Sequence, residues 1–90
     1  MTVKGFEQRR RACKIVMLQK LGDHTIRATE WELMCSRDYR VRVTHARFWS
    51  LLRSILEDKL IEKESESGAY RATQLGKEQL ELWKKQEKTE

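Results

Sequence analysis

Residues 37–60 read RDYRVRVTHARFWSLLRSILEDKL. Arginines stand at 37, 40, 42, 47 and 53, so positive charge leads into, and runs along, a segment with the periodicity of a buried helix. At helical spacing Phe48, Trp49, Leu51, Leu52, Ile55 and Leu56 share one arc, while Ala46, Arg47, Ser50, Arg53 and Ser54 share the other. Thr44 is placed to cap the first turn, and a helix is predicted over about 45–60. Its bases come first and its acids, Glu57 and Asp58, come last. That order opposes the helix dipole, at a cost of a few tenths of a kcal/mol for each exposed charge, on the order of 0.3. An N-terminal half that meets anions accounts for the reversal.

Upstream, Phe6, Ala12, Cys13, Ile15, Val16, Met17, Leu18 and Leu21 recur at helical spacing, and Gly22 stands where a left-handed cap is expected. The wide apolar arc predicts a central helix, about 6–21, touched from several sides. HTIR, at 24–27, has room only for a bridge or a single edge strand. Thr29-Glu30-Trp31-Glu32 has the capping-box pattern, which predicts a second helix over about 30–37 that buries Trp31 or Leu33 together with Met34.

Downstream, two short stretches flank Ser67-Gly68 and predict a β-hairpin over about 61–73, with Ile61, Tyr70 and Ala72 facing inward. A last amphipathic helix is expected over about 74–87, with Leu75, Leu82 and Trp83 on one side and Leu80 beside them. The whole predicted order is α1-β1-α2-α3-β2-β3-α4, mainly helical with a small hairpin, in one domain spanning residues 1–90.

Charge is divided unevenly along the chain. Residues 1–53 carry 12 Lys and Arg against 5 acids, and residues 54–90 carry 7 against 9. One cationic face, and a polyanion as its partner, follow from that asymmetry. The longest apolar run, IVML at 15–18, falls far short of the roughly 20 residues that span a membrane. MTVKGFEQRRRA lacks the hydrophobic segment of a secretory signal, so a cytoplasmic protein is expected.

Cys13 and Cys35 have no CxxC pairing and read as packed thiols, with a disulfide as the alternative. Cys13, His24, Cys35 and His45 fit no paired-ligand spacing, so no metal is expected. Neither histidine has a partner at a useful spacing; His24 reads as a turn residue and His45 as a helix start. Neither an enzyme nor a cofactor is expected.

Helices two and three, joined by a short turn over about 30–60 and packed on helix one, form a helix-turn-helix, and the hairpin after them is a wing. Residues 48–83, FWSLLRSILEDKLIEKESESGAYRATQLGKEQLELW, resemble the second half of winged helix-turn-helix regulators of the PadR and MarR types. Leu51, Leu52, Leu56, Leu60, Ile61, Tyr70, Thr73 and Gly76 carry the resemblance. It implies a winged-helix DNA-binding protein, and small stand-alone forms of this length are common among archaea and their viruses; in departure from the full regulators, which are longer, no separate effector domain is expected.

In that setting helix three enters the major groove of double-stranded DNA. Arg47 is the candidate for a base contact, because arginine can donate twice to guanine. Ala46, Ser50 and Ser54 supply short contacts or room. Arg40, Arg42, Thr44 and Arg53 are candidates for phosphate, with Arg27 and Arg37 in second rank. In the wing only Lys63 and Arg71 are cationic, against Glu62, Glu64 and Glu66. Phe6, Leu80 and Trp83 are candidates for a homodimer interface, with closure of the monomer core as the alternative for Leu80 and Trp83. The competing reading is a winged-helix module that binds another protein in a transcription or replication assembly, docking through the acidic wing.

Overall fold

The computed structural model describes residues 2–38, 41–64 and 66–88, with side chains described between Gln8 and Gln86. Four helices and a three-stranded antiparallel sheet follow one another as α1 (Thr2–Leu21), β1 (Ile26–Arg27), α2 (Ala28–Ser36), α3 (His45–Glu57), β2 (Ile61–Lys63), β3 (Ala69–Ala72) and α4 (Gln74–Lys88). This is the order expected from the sequence. Among the described residues no helix is long and apolar enough to cross a membrane.

The first helix is buried on more than one side because α2, α3 and α4 all pack against it. Cys13, Ile15, Val16, Met17, Leu18 and Leu21 lose nearly all contact with solvent. Gly22 ends it with φ +53°, and its amide donates to the Leu18 carbonyl at 2.9 Å. Only glycine takes that left-handed conformation without strain.

Trp31 is the hub of the core. Its indole Nε1 donates to the Met17 carbonyl of α1 at 2.8 Å. Its ring meets Phe48 of α3 edge-on at 5.2 Å and tilts against Tyr70 of β3 at 6.0 Å. The polar atom of a fully buried side chain is thereby satisfied, as a dry core requires. Cys35 is buried beside it, while Leu33 and Met34 point outward, contrary to the sequence expectation. The capping box does not form either. Helix α2 begins earlier, at Ala28 behind Arg27, with no side-chain cap, and Thr29 lies inside the helix. Glu32 is engaged elsewhere.

β3 is the central strand, in the order β1-β3-β2. Ile61 pairs with Ala72, Glu62 with Arg71 and Lys63 with Tyr70, while Ile26 pairs with Tyr70 from the other edge. The alternation puts Ile61 and Tyr70 inward, as their spacing predicts, and leaves Glu62 and Arg71 outside.

The end of α3 is built from main chain. Lys59 has φ +62°; its amide donates to Leu56 O at 3.0 Å and the Leu60 amide to Ile55 O at 2.9 Å, a Schellman closure. Leu60 then receives α4. Thr73 Oγ1 donates to the Lys59 carbonyl at 2.7 Å and accepts from the Gly76 amide at 3.0 Å. Gly76 packs so closely that a Cβ there would lie 1.9 Å from the Leu60 carbonyl oxygen. Helix α4 turns Leu80 and Trp83 toward the core, and Leu75 and Leu82 remain about half exposed. The inner face is thus one step away from that expected, because Gly76 permits the close approach.

Cys13 and Cys35 are free and buried. Burial pushes the Cys35 thiol up to about 12, so it stays protonated and unreactive.

Candidate nucleic-acid interface

Helix α3 is held at its N-terminal end by polar side chains. Thr44 takes the capping position, its hydroxyl accepting from the Arg47 amide at 3.3 Å. Before it, Asp38 is buried in the connection from α2. One of its carboxylate oxygens accepts from the Val41 amide at 2.8 Å, and the other lies 3.5 Å from the Lys20 ammonium of α1. A buried carboxylate is retained only when hydrogen bonds and charge offset its desolvation. Sequence reasoning passed over Asp38 among the surrounding arginines, although an acid inside RDYR was itself a signal.

A second clamp joins α2 to α3. Glu32 Oε2 lies 2.6 Å from His45 Nδ1, and Glu32 Oε1 accepts from Trp49 Nε1 at 2.9 Å. The His45 and Trp49 rings approach at 6.2 Å. One carboxylate so fixes the first turn of α3 and stands where the helix dipole favours negative charge. The separation of 13 residues between Glu32 and His45 concealed this partner from a reading by local spacing.

The exposed face of α3 carries Ala46, Trp49, Ser50, Arg53 and Leu56. Phe48, Leu51, Leu52 and Ile55 are buried as predicted, but Trp49 and Leu56 are 38% and 37% exposed rather than inside. Arg47 and Ser54 are half-buried on one flank of that face. Arg53 lies on the other, where it joins Trp49, Ser50, Leu52, Leu56 and Tyr70 in a shallow groove of about 640 Å³ between α3 and β3. The small residues Ala46 and Ser50 stand between the two arginines. Arg47, the candidate base reader, is therefore less accessible than Arg53.

Arg37 and Arg42 are exposed in the connection before α3. Among the described residues Arg37, Arg42, Arg47 and Arg53 form no ion pair with a carboxylate. Arg27 is exposed on β1. Arg40 lies outside the described residues.

The hairpin divides its two cations. Lys63 is exposed and in register with Tyr70, on the side that meets α3. Arg71 is already held by Glu62, Nε to Oε1 at 2.5 Å, and lines a separate cleft with Asp23, Thr73 and Lys77. It does not join the α3 face. Of the dimer candidates, Leu80 and Trp83 close the core of the single chain, and the Phe6 side chain lies outside the described residues. Exposed leucines on α4 are instead Leu75 and Leu82.

Among the described residues no group of three or more His, Cys, Asp and Glu side chains could hold a metal ion. In comparisons with known proteins, no family model, no curated protein and no solved structure matches this chain.

Proposed function

We propose that this chain is a winged helix-turn-helix protein that binds double-stranded DNA in a sequence-specific way and regulates transcription, reading the major groove with α3. The observation that carries the reading is the set of exposed arginines without acid partners, Arg37, Arg42 and Arg53, around a small-residue face made by Ala46 and Ser50. A small-residue strip lets a helix approach base edges, and flanking guanidinium groups meet the phosphates on either side. Ser50 and Arg53 are the foremost base-edge candidates, with Arg47 at the flank. Arg37, Arg42 and Thr44 position the backbone, and Lys63 is the hairpin's candidate. A twofold dimer joined through the outer face of α4 would set two such helices about 34 Å apart on a palindromic site.

Selection of bound duplexes from a random pool tests this directly, with an enriched palindrome expected. Arg42→Ala with Arg53→Ala should abolish the selected binding while the fold melts unchanged. With roughly 4–6 phosphate contacts per subunit, log K should fall with log salt at a slope near −4 to −5. A flat salt response rejects groove binding.

A second reading is supported by the groove of Trp49, Leu56 and Tyr70, since exposed aromatic and leucine side chains are typical of protein interfaces. There the chain is a winged-helix module that docks another protein, and Trp49→Ala would remove its partner without affecting duplex DNA.

A further inference from the structure

Helix α1 carries a charged surface that the α3 reading leaves unused. From Gln8 to Leu21 it holds Arg9, Arg10, Arg11, Lys14 and Lys20 and no acid at all. Lys20 is taken by the buried Asp38. Arg9 and Arg11 are exposed, and Lys14 is half-buried beside them. Arg11 Nη1 donates to Gln86 Oε1 at 3.3 Å, which brings the C-terminal part of α4 alongside the cluster.

Its position separates it from the α3 interface. Lys14 feels the charge of Asp58, the residue that closes the C-terminal end of α3, whereas Thr44 caps the opposite end. Helix α1 packs against the buried side of α3, where Phe48, Leu51, Leu52 and Ile55 join Cys13, Val16 and Met17 in the core. The cluster therefore belongs to a helix that lies behind α3, whereas Ala46, Ser50 and Arg53 are exposed on the outer side of α3.

Stability alone gives no reason for this grouping. Arg11 and Lys14 are spaced i,i+3 and Arg10 and Lys14 i,i+4, so like charges repel along the helix. Burial lowers the Lys14 pKa from its ordinary value, and Arg10 and Arg11 lower it further, while Asp58 pulls the other way. The folded chain thus holds a cation where its charge is disfavoured, and an anionic partner would relieve that.

We propose that Arg9, Arg11 and Lys14 form a second phosphodiester-binding surface, distinct from the α3 face, through which one chain holds a second segment of duplex. An acidic polypeptide fits less well. Among the described residues the exposed large hydrophobic side chains lie on α2, α3 and α4 and none on α1, so the cluster offers no apolar anchor of the kind protein interfaces use. Guanidinium groups match phosphate oxygens with paired hydrogen bonds. The proposal rests on the first duplex being held through α3.

The test is recruitment of a labelled duplex by protein already bound to an immobilised duplex. The unmodified chain should recruit it, with a salt slope near −3 for that step, about 0.9 for each of three phosphates. The triple variant R9Q/R11Q/K14Q should bind the first duplex within about threefold of the original and recruit the second roughly tenfold less. Should melting show that this variant is unfolded, R9Q/R11Q leaves the half-buried Lys14 in place and should still weaken recruitment.

Undiminished recruitment by the folded variants overturns the second surface and leaves the α3 reading standing. Loss of all duplex binding by the α1 variants, with R42A/R53A unaffected, would retain the α1 surface and reject α3. Polyglutamate that displaces the second duplex as readily as unlabelled DNA would assign the surface to acidic polypeptide and overturn the phosphodiester assignment. If the unmodified chain binds no duplex, both surfaces fall together.

Discussion

The two ends of α3 are secured by different physics. At the C-terminal end every contact is made to main chain: the Schellman closure at Lys59, the Thr73 hydroxyl on the Lys59 carbonyl, and buried Gly76 against Leu60. At the N-terminal end they are made by side chains: the Thr44 cap and the Glu32 clamp on His45 and Trp49 at the surface, and the bridge from buried Asp38 to Lys20. One end is anchored to the scaffold by close packing that tolerates little change. The other is set by charges and hydroxyls, groups that a charged partner can also engage.

The difference can be broken first at the packed end. Gly76→Ala puts a methyl group into the Leu60 carbonyl, and main chain must move to admit it. A loss of about 3 kcal/mol or more is expected, with α4 released from the hairpin junction. Denaturant unfolding measures it, and a loss below about 1 kcal/mol would show that the two elements separate easily.

At the other end the largest effect should come from Asp38→Ala. It leaves the Val41 amide without its acceptor and the Lys20 ammonium without its counter-charge, for a loss of about 2–3 kcal/mol. Lys20→Ala beside it separates the two contributions in a double-mutant cycle. Little coupling between the two would place the stabilisation in the amide bond rather than the ion pair.

Thr44→Ala should cost about 1 kcal/mol through the lost cap, and Thr44→Ser should restore it. Equal stability of all three chains would show that the first turn of α3 is held by the Glu32 clamp alone. The smallest change has the opposite sign. Lys59 adopts a left-handed backbone that disfavours a side chain, so Lys59→Gly should gain about 0.5–1 kcal/mol, the relief being partly offset by glycine's freedom when unfolded. A melting temperature that falls instead would mean the lysine side chain stabilises the junction.

Much of the architecture was legible because apolar periodicity and turn residues are local properties. The burial of Phe48, Leu51, Leu52 and Ile55, the cap at Thr44, the left-handed Gly22 and the hairpin at Ser67-Gly68 all follow from neighbours a few residues apart. The misreadings have one cause. Thr29 and Glu32 match a capping box, yet Glu32 binds His45 and Trp49, and a distant partner outcompetes a local one whenever it satisfies both oxygens. Leu33 and Met34 were candidates for the inside of α2 and are exposed, and on α4 Trp83 faces the core with Leu80 rather than with Leu75 and Leu82. Helix rotation is set by which neighbour comes closest, and no single helix contains that information.

By itself, then, the amino-acid order determined the succession of elements, the positive charge ahead of α3 and the places where the chain turns. Only the tertiary structure decided that Arg71 is already paired, that Arg47 is half-buried while Arg53 is exposed, and that Asp38 is an interior acid. The reason is range. Periodicity, capping and backbone conformation act within a turn or two of helix, whereas accessibility and charge pairing depend on residues brought together from distant parts of the chain.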